Sequence, residues 1–68
     1  MYSTDIRQIK AALRAQAFVG SVTVSCFLGQ QVVAVRRRKG HLLALIRGWG
    51  RWYPVPWVRI EGAGCPLV

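Results

Sequence analysis

The chain has 68 residues, enough for one small domain with a modest core and too few for a deep substrate cavity. Hydrophobic residues make up 53% and charged residues 18%, which excludes a disordered profile. Ten Lys and Arg stand against only two acids, Asp5 and Glu61, and the formal net charge of +8 points to polyanionic partners: nucleic acid, an anionic membrane surface or an acidic protein.

Residues 3–18 read as a helix. Ser3, Thr4 or Asp5 can supply the cap oxygen for its first free N–H groups. Ile6, Ile9, Leu13 and Ala17 then fall on one side at helical spacing. Arg7, Lys10 and Arg14 form a basic stripe beside it, and Gln8, Ala11 and Ala15 leave the remaining face small and neutral. The apolar stripe is narrow, so docking onto the rest of the domain explains it better than lying in a membrane surface. Gly20 ends the helix.

From Ser21 the period changes to two. Val22, Val24, Cys26 and Leu28 alternate with Ser21, Thr23, Ser25 and Phe27, the pattern of a half-buried strand with Cys26 as a core thiol. A turn at Gly29-Gln30-Gln31 leads into "VVAVR", with Val33 and Val35 expected inward. Arg36, Arg37, Arg38 and Lys39 follow, and Gly40 turns the chain. "HLLALIR" is continuous enough to suit a helix, but it is short and bounded by Gly40 and Gly48, which favours a strand. After the turn at Gly48-Trp49-Gly50 come "RWYPV" and "WVRIE", with Pro54 and Pro56 forbidding a regular ladder between them.

The plan is a single domain, 1–68: a helix at 3–18, a small barrel at 21–61 and a loose tail at 62–68. Short sequential strands with tight turns favour a closed, strongly curved sheet, since closure removes exposed edges. The expected fold is therefore mainly β, a five-stranded SH3-like barrel with an N-terminal α-helix. Trp52-Tyr53-Pro54-Val55-Pro56-Trp57-Val58-Arg59 resembles the closing segment of the C-terminal domains of retroviral and retrotransposon-type integrases. In that segment an aromatic, a proline and a valine followed by a basic residue lead into the last strand. The resemblance implies an SH3-like barrel that binds DNA and contributes to multimer assembly.

Alternation on the strands also sorts the rings. One of Trp52 and Tyr53 is expected in the core with Val58 and Ile60, while Trp49, Trp57 and the other ring are at least partly exposed.

The leading functional expectation is weakly sequence-specific nucleic-acid binding, DNA ahead of RNA. Arg36, Arg37, Arg38, Lys39, Arg47 and Arg51 would meet phosphates, Trp49 and Trp57 would stack on bases, and Arg7, Lys10 and Arg14 would extend the footprint. The alternative is a protein-interaction or inhibitory module, such as an accessory protein of a phage or mobile element, using its aromatic and basic face on an acidic or extended partner. A homodimer fits either reading. Enzymatic chemistry is not expected: the acids and the single histidine, His41, are far apart in the chain, and no phosphate cradle or Ser/His/Asp pattern is present. Plasmid-borne small-barrel dihydrofolate reductases share a Tyr before Pro-Val, here Tyr53, but Arg51 and Trp52 replace their Gln and Ile. No cofactor or metal spacing is visible. The polar N-terminus and the lack of a membrane-length apolar run make a cytoplasmic location the expectation.

Overall fold

The computed structural model of the protein describes residues 1–19 and 24–61. In chain order it contains β1 (Tyr2–Ser3), α1 (Ile6–Val19), β2 (Val24–Phe27), β3 (Gln30–Arg38), β4 (His41–Ile46), β5 (Trp52–Pro54) and β6 (Val58–Glu61). All pairings are antiparallel, and the strands form one six-stranded sheet in the order β1-β6-β2-β3-β4-β5. Over the described residues the protein is thus mainly β with one helix. The sheet is open, with β1 and β5 at its edges, where a closed five-stranded barrel was expected. The tail at 62–68, the strand start at 21–23 and the helix stop at Gly20 lie outside the described residues.

The unforeseen strand is β1. Tyr2 pairs with Arg59 and Ser3 with Val58, and the Ile60 amide donates to the Met1 carbonyl at 2.7 Å. Two residues carry no periodicity, so only tertiary pairing creates this strand. Its presence moves the helix start from residue 3 to Ile6. Asp5 is the cap: its Oδ1 accepts from the Arg7 amide at 2.9 Å, and its carbonyl accepts from the Ile9 amide at 3.0 Å. Ser3, which is buried, accepts from the Asp5 amide and donates to Gln8 Oε1.

Burial and register define two faces of the sheet. Val32, Val35, Leu42, Ala44, Ile46, Val55 and Val58 point inward, and Ile9 of α1 packs into them with no exposed surface. Ile6, Leu13, Phe27 and Tyr53 border this core. The helix therefore covers the inner face. Its docked side includes buried Ala12, whereas Ala17 is exposed, a rotation of the expected stripe. Arg7, Lys10 and Arg14 are exposed.

A β-bulge in β3 explains why Val33 is exposed and Val32 buried, the reverse of the expected phase. Val32 pairs with Ile46 and Ala34 with Leu45, so Val33 is an extra residue in the ladder. Alternation resets across it, and Val32 and Val35 both face inward although three apart. Because β2 pairs only with the start of β3 and β4 with the rest, the bulge lies where the sheet changes neighbours.

Two hairpins have two-residue turns with positive φ at both positions: Leu28 (53°) and Gly29 (76°), then Lys39 (51°) and Gly40 (79°). This is the type I′ pattern, whose twist matches that of paired strands. The first turn thus falls one residue earlier than the glycine suggested, and Leu28 is 67% exposed rather than inward. A leucine in the left-handed region is strained by about 1–2 kcal/mol. Leu28→Asn should consequently raise the melting temperature by at least about 4 °C. An unchanged or lower melting temperature in a thermal scan would show that the Leu28 side chain contributes contacts that offset the strain.

Cys26 is buried, as expected. Burial, and then the neighbouring Glu61, push its thiol above the ordinary value of 9.0. The folded protein holds this proton more tightly than the unfolded chain. Its contribution to stability is full below the ordinary thiol value and is lost as pH rises through the folded value.

At the other edge, the Val55 amide donates to the Leu42 carbonyl at 2.9 Å. Alternation then turns Tyr53 toward β4 and leaves the backbone groups of Trp52 and Pro54 on the free side. Proline has no N–H, so Pro54 removes a donor from that edge and blunts it against further strand pairing.

Candidate nucleic-acid interface

The outer face of β3, β4 and β5 carries the alternate residues to the core. Ala34, Arg36 and Arg38 come from β3, His41, Leu43 and Leu45 from β4, and Trp52 and Pro54 from β5. Arg36 lies opposite Leu43 and Trp52 opposite Leu45. The Arg36 guanidinium reaches diagonally across β4 and sits 4.4 Å from the Trp52 ring centroid, a cation–π contact. Leu43, Leu45 and Trp52 are half-buried here, without any described element laid over them.

Cations border this apolar strip at both ends. Arg38 pairs with His41 at the β3–β4 hairpin, with Lys39 in the turn, and all three are exposed. Beyond the other end of β4, Arg47 lines a shallow groove with Val33, Leu45, Gly48 and Gly50. Its amide donates to the Gln31 carbonyl at 2.9 Å and its Nη1 to Gln31 Oε1 at 3.2 Å, which fix the head group at the bulge.

Among the described residues, none of these cations has an acidic partner. The chain contains just two acidic side chains. Asp5 caps the helix, and Glu61 Oε1 is 3.2 Å from Arg59 Nε on β6. The outer face is therefore a field of one sign around an apolar centre.

The remaining predicted residues sit elsewhere. Arg37 points to the inner side, where its guanidinium donates to the carbonyls of Gly40 (3.3 Å) and Thr4 (3.2 Å); it ties the hairpin to the start of α1. Arg51 and Trp49 flank Tyr53, the inward ring of the Trp52/Tyr53 pair. Arg51 Nε donates to the Tyr53 hydroxyl at 3.1 Å, which holds the guanidinium proton more firmly, and Trp49 meets the Tyr53 ring edge-on at 4.8 Å. Trp49 remains 40% exposed. Trp57 stands apart from the cations in an aromatic cluster, 4.9 Å from Tyr2 and 5.2 Å from Phe27. With Tyr2, Ser3 and Thr4 it lines a groove of about 390 Å³. Arg7, Lys10 and Arg14 are on the helix, away from the outer face.

Trp52, Leu43 and Leu45 are the members of the face that sequence reasoning missed. The signal was present: Tyr53 and Val55 share a parity, and an aliphatic Val55 between two prolines marks that parity as the inward one.

Among the described residues, no three His, Cys, Asp or Glu side chains gather as a metal site, and no helix is long and apolar enough to cross a membrane. No protein-family model, curated protein or solved structure matches the chain.

Proposed function

We propose that this protein binds nucleic acid, with little sequence preference, through the outer face of β3, β4 and β5. The supporting observation is the set of cations Arg36, Arg38, Lys39 and Arg47 along the Leu43–Leu45–Trp52 strip, with both acidic side chains of the chain engaged elsewhere. Guanidinium and ammonium groups meet phosphates without reading bases. No groove-entering helix or base-reading motif accompanies them, which favours backbone contacts and weak specificity. DNA is the preferred form, as the resemblance of residues 52–59 implies. In fold terms, we read β2–β6 as an open form of the SH3-like small barrel, with β1 an added strap along β6. The return of β6 beside β2 favours this reading.

A second reading has its own observation. Tyr2 and Leu28 are each 67% exposed, and Tyr2 leads into the Trp57–Phe27 cluster. Exposed aromatics of this kind are favoured anchors of protein contacts, so a protein partner or a second copy would dock there and not on the basic face.

The test is fluorescence anisotropy with labelled DNA and RNA, titrated across salt. A log-log slope summing to about three or four phosphates, at roughly −0.9 each for duplex or −0.7 for single strands, is expected. Binding that is absent at low salt would overturn the proposal.

A further inference from the structure

Resting on that reading, we infer that the preferred ligand is a single strand of roughly four nucleotides laid along the outer face of β4, with its bases on the Leu43–Leu45–Trp52 strip. A binder of duplex backbone alone needs cations and polar groups, because stacked bases offer no apolar surface to the protein. Here Arg38, Lys39 and Arg47 stand at the two ends, and Arg36 alone reaches across the strip to the Trp52 ring. The centre of the field is two half-buried leucines and an indole.

Dimensions agree. From His41 to Ile46 the strand runs about 17 Å, at roughly 3.4 Å per residue. Arg38 and Lys39 lie at one end of that length, Arg36 along its middle and Arg47 at the far end. Phosphates of an extended strand would follow these cations while unpaired bases covered Leu43, Leu45 and Trp52. Arg36 lies over the Trp52 ring, so a base stacks on the guanidinium plane or takes its place on the indole, and its phosphate meets the same cation. Charge complementarity selects a polyanion as occupant, and the apolar centre selects one whose bases are free.

The experiment compares three labelled ligands at one salt concentration: a six-nucleotide DNA strand, an abasic strand of the same length, and a duplex carrying the same sequence. The intact strand should bind about tenfold or more tightly than the abasic strand, the effect of stacking one or two bases. It should also bind more tightly than the duplex. In Trp52→Leu the intact-to-abasic ratio should shrink toward one, while Trp57→Leu keeps it. Equal affinity of the intact and abasic strands overturns the inference, as does a duplex that binds tighter. In either case binding to phosphates would still stand. No binding to any of the three overturns the parent reading as well. The wild-type ratio decides the matter even if Trp52→Leu fails to fold.

Discussion

Ile9→Ala will lower the unfolding free energy by about 3 kcal/mol, the cost of emptying a fully buried aliphatic site. Ile9 has no exposed surface, and among the described residues it is the one helix residue that is fully buried in the core. It belongs to one buried cluster with Val32, Val35, Leu42, Ala44, Ile46, Val55 and Val58, so the cavity would open between helix and sheet, where neither side can relax alone. A chain of this length holds roughly 3–10 kcal/mol of stability in total. The loss should therefore remove a third or more of it, and the melting temperature should fall by at least about 12 °C. Urea denaturation followed by circular dichroism measures this. A loss under about 1 kcal/mol would mean that α1 is not docked over the inner face.

The second large effect is on binding. Arg36→Ala combined with Arg38→Ala should weaken single-strand binding about tenfold near 0.1 M salt and reduce the magnitude of the salt slope by about 1.4, the release expected for two phosphates. Both guanidinium groups are on the outer face, outside the core, so the fold should survive. The Arg36–Trp52 contact contributes about 0.5–1 kcal/mol, which limits the change in melting temperature to a few degrees. Arg59→Ala is the matched control, because Arg59 is already paired with Glu61. An unchanged slope in the double variant would remove this face as the phosphate site. Arg37 is a poor choice for this purpose. Its hydrogen bonds to Thr4 and Gly40 mean that its removal loosens the hairpin from the helix start, which would confuse binding with stability.

Much of the fold was legible because strong periodicity survives tertiary contact. The helix, the strand at His41–Ile46 and the break at Pro54–Pro56 all follow from local chemistry. Three features did not. Tyr2–Ser3 becomes a strand only because β6 offers it partners. The bulge at Val33 has no sequence signal within a run of valines and alanine, yet it decides which valines are buried. Leu28 occupies a left-handed turn position that composition would assign to glycine or asparagine. The site divides along the same line. Alternation alone separates Arg36 and Arg38 from Arg37, but the structural use of Arg37 depends on Thr4, which is distant in sequence. Trp57 reads as a stacking ring by composition, and only the fold places it with Tyr2 and Phe27 instead of with the cations.

The most direct measurement is a heteronuclear NMR titration of the folded protein with a short DNA strand, following backbone amides and indole N–H groups. Binding on the outer face of β4 should move Arg36, Arg38, Lys39, Leu43, Leu45, Arg47 and the Trp52 indole, and leave Tyr2, Leu28 and the Trp57 indole in place. Shifts confined to Tyr2, Leu28 and Trp57, or none at all at low salt, would contradict a nucleic-acid surface on β3, β4 and β5.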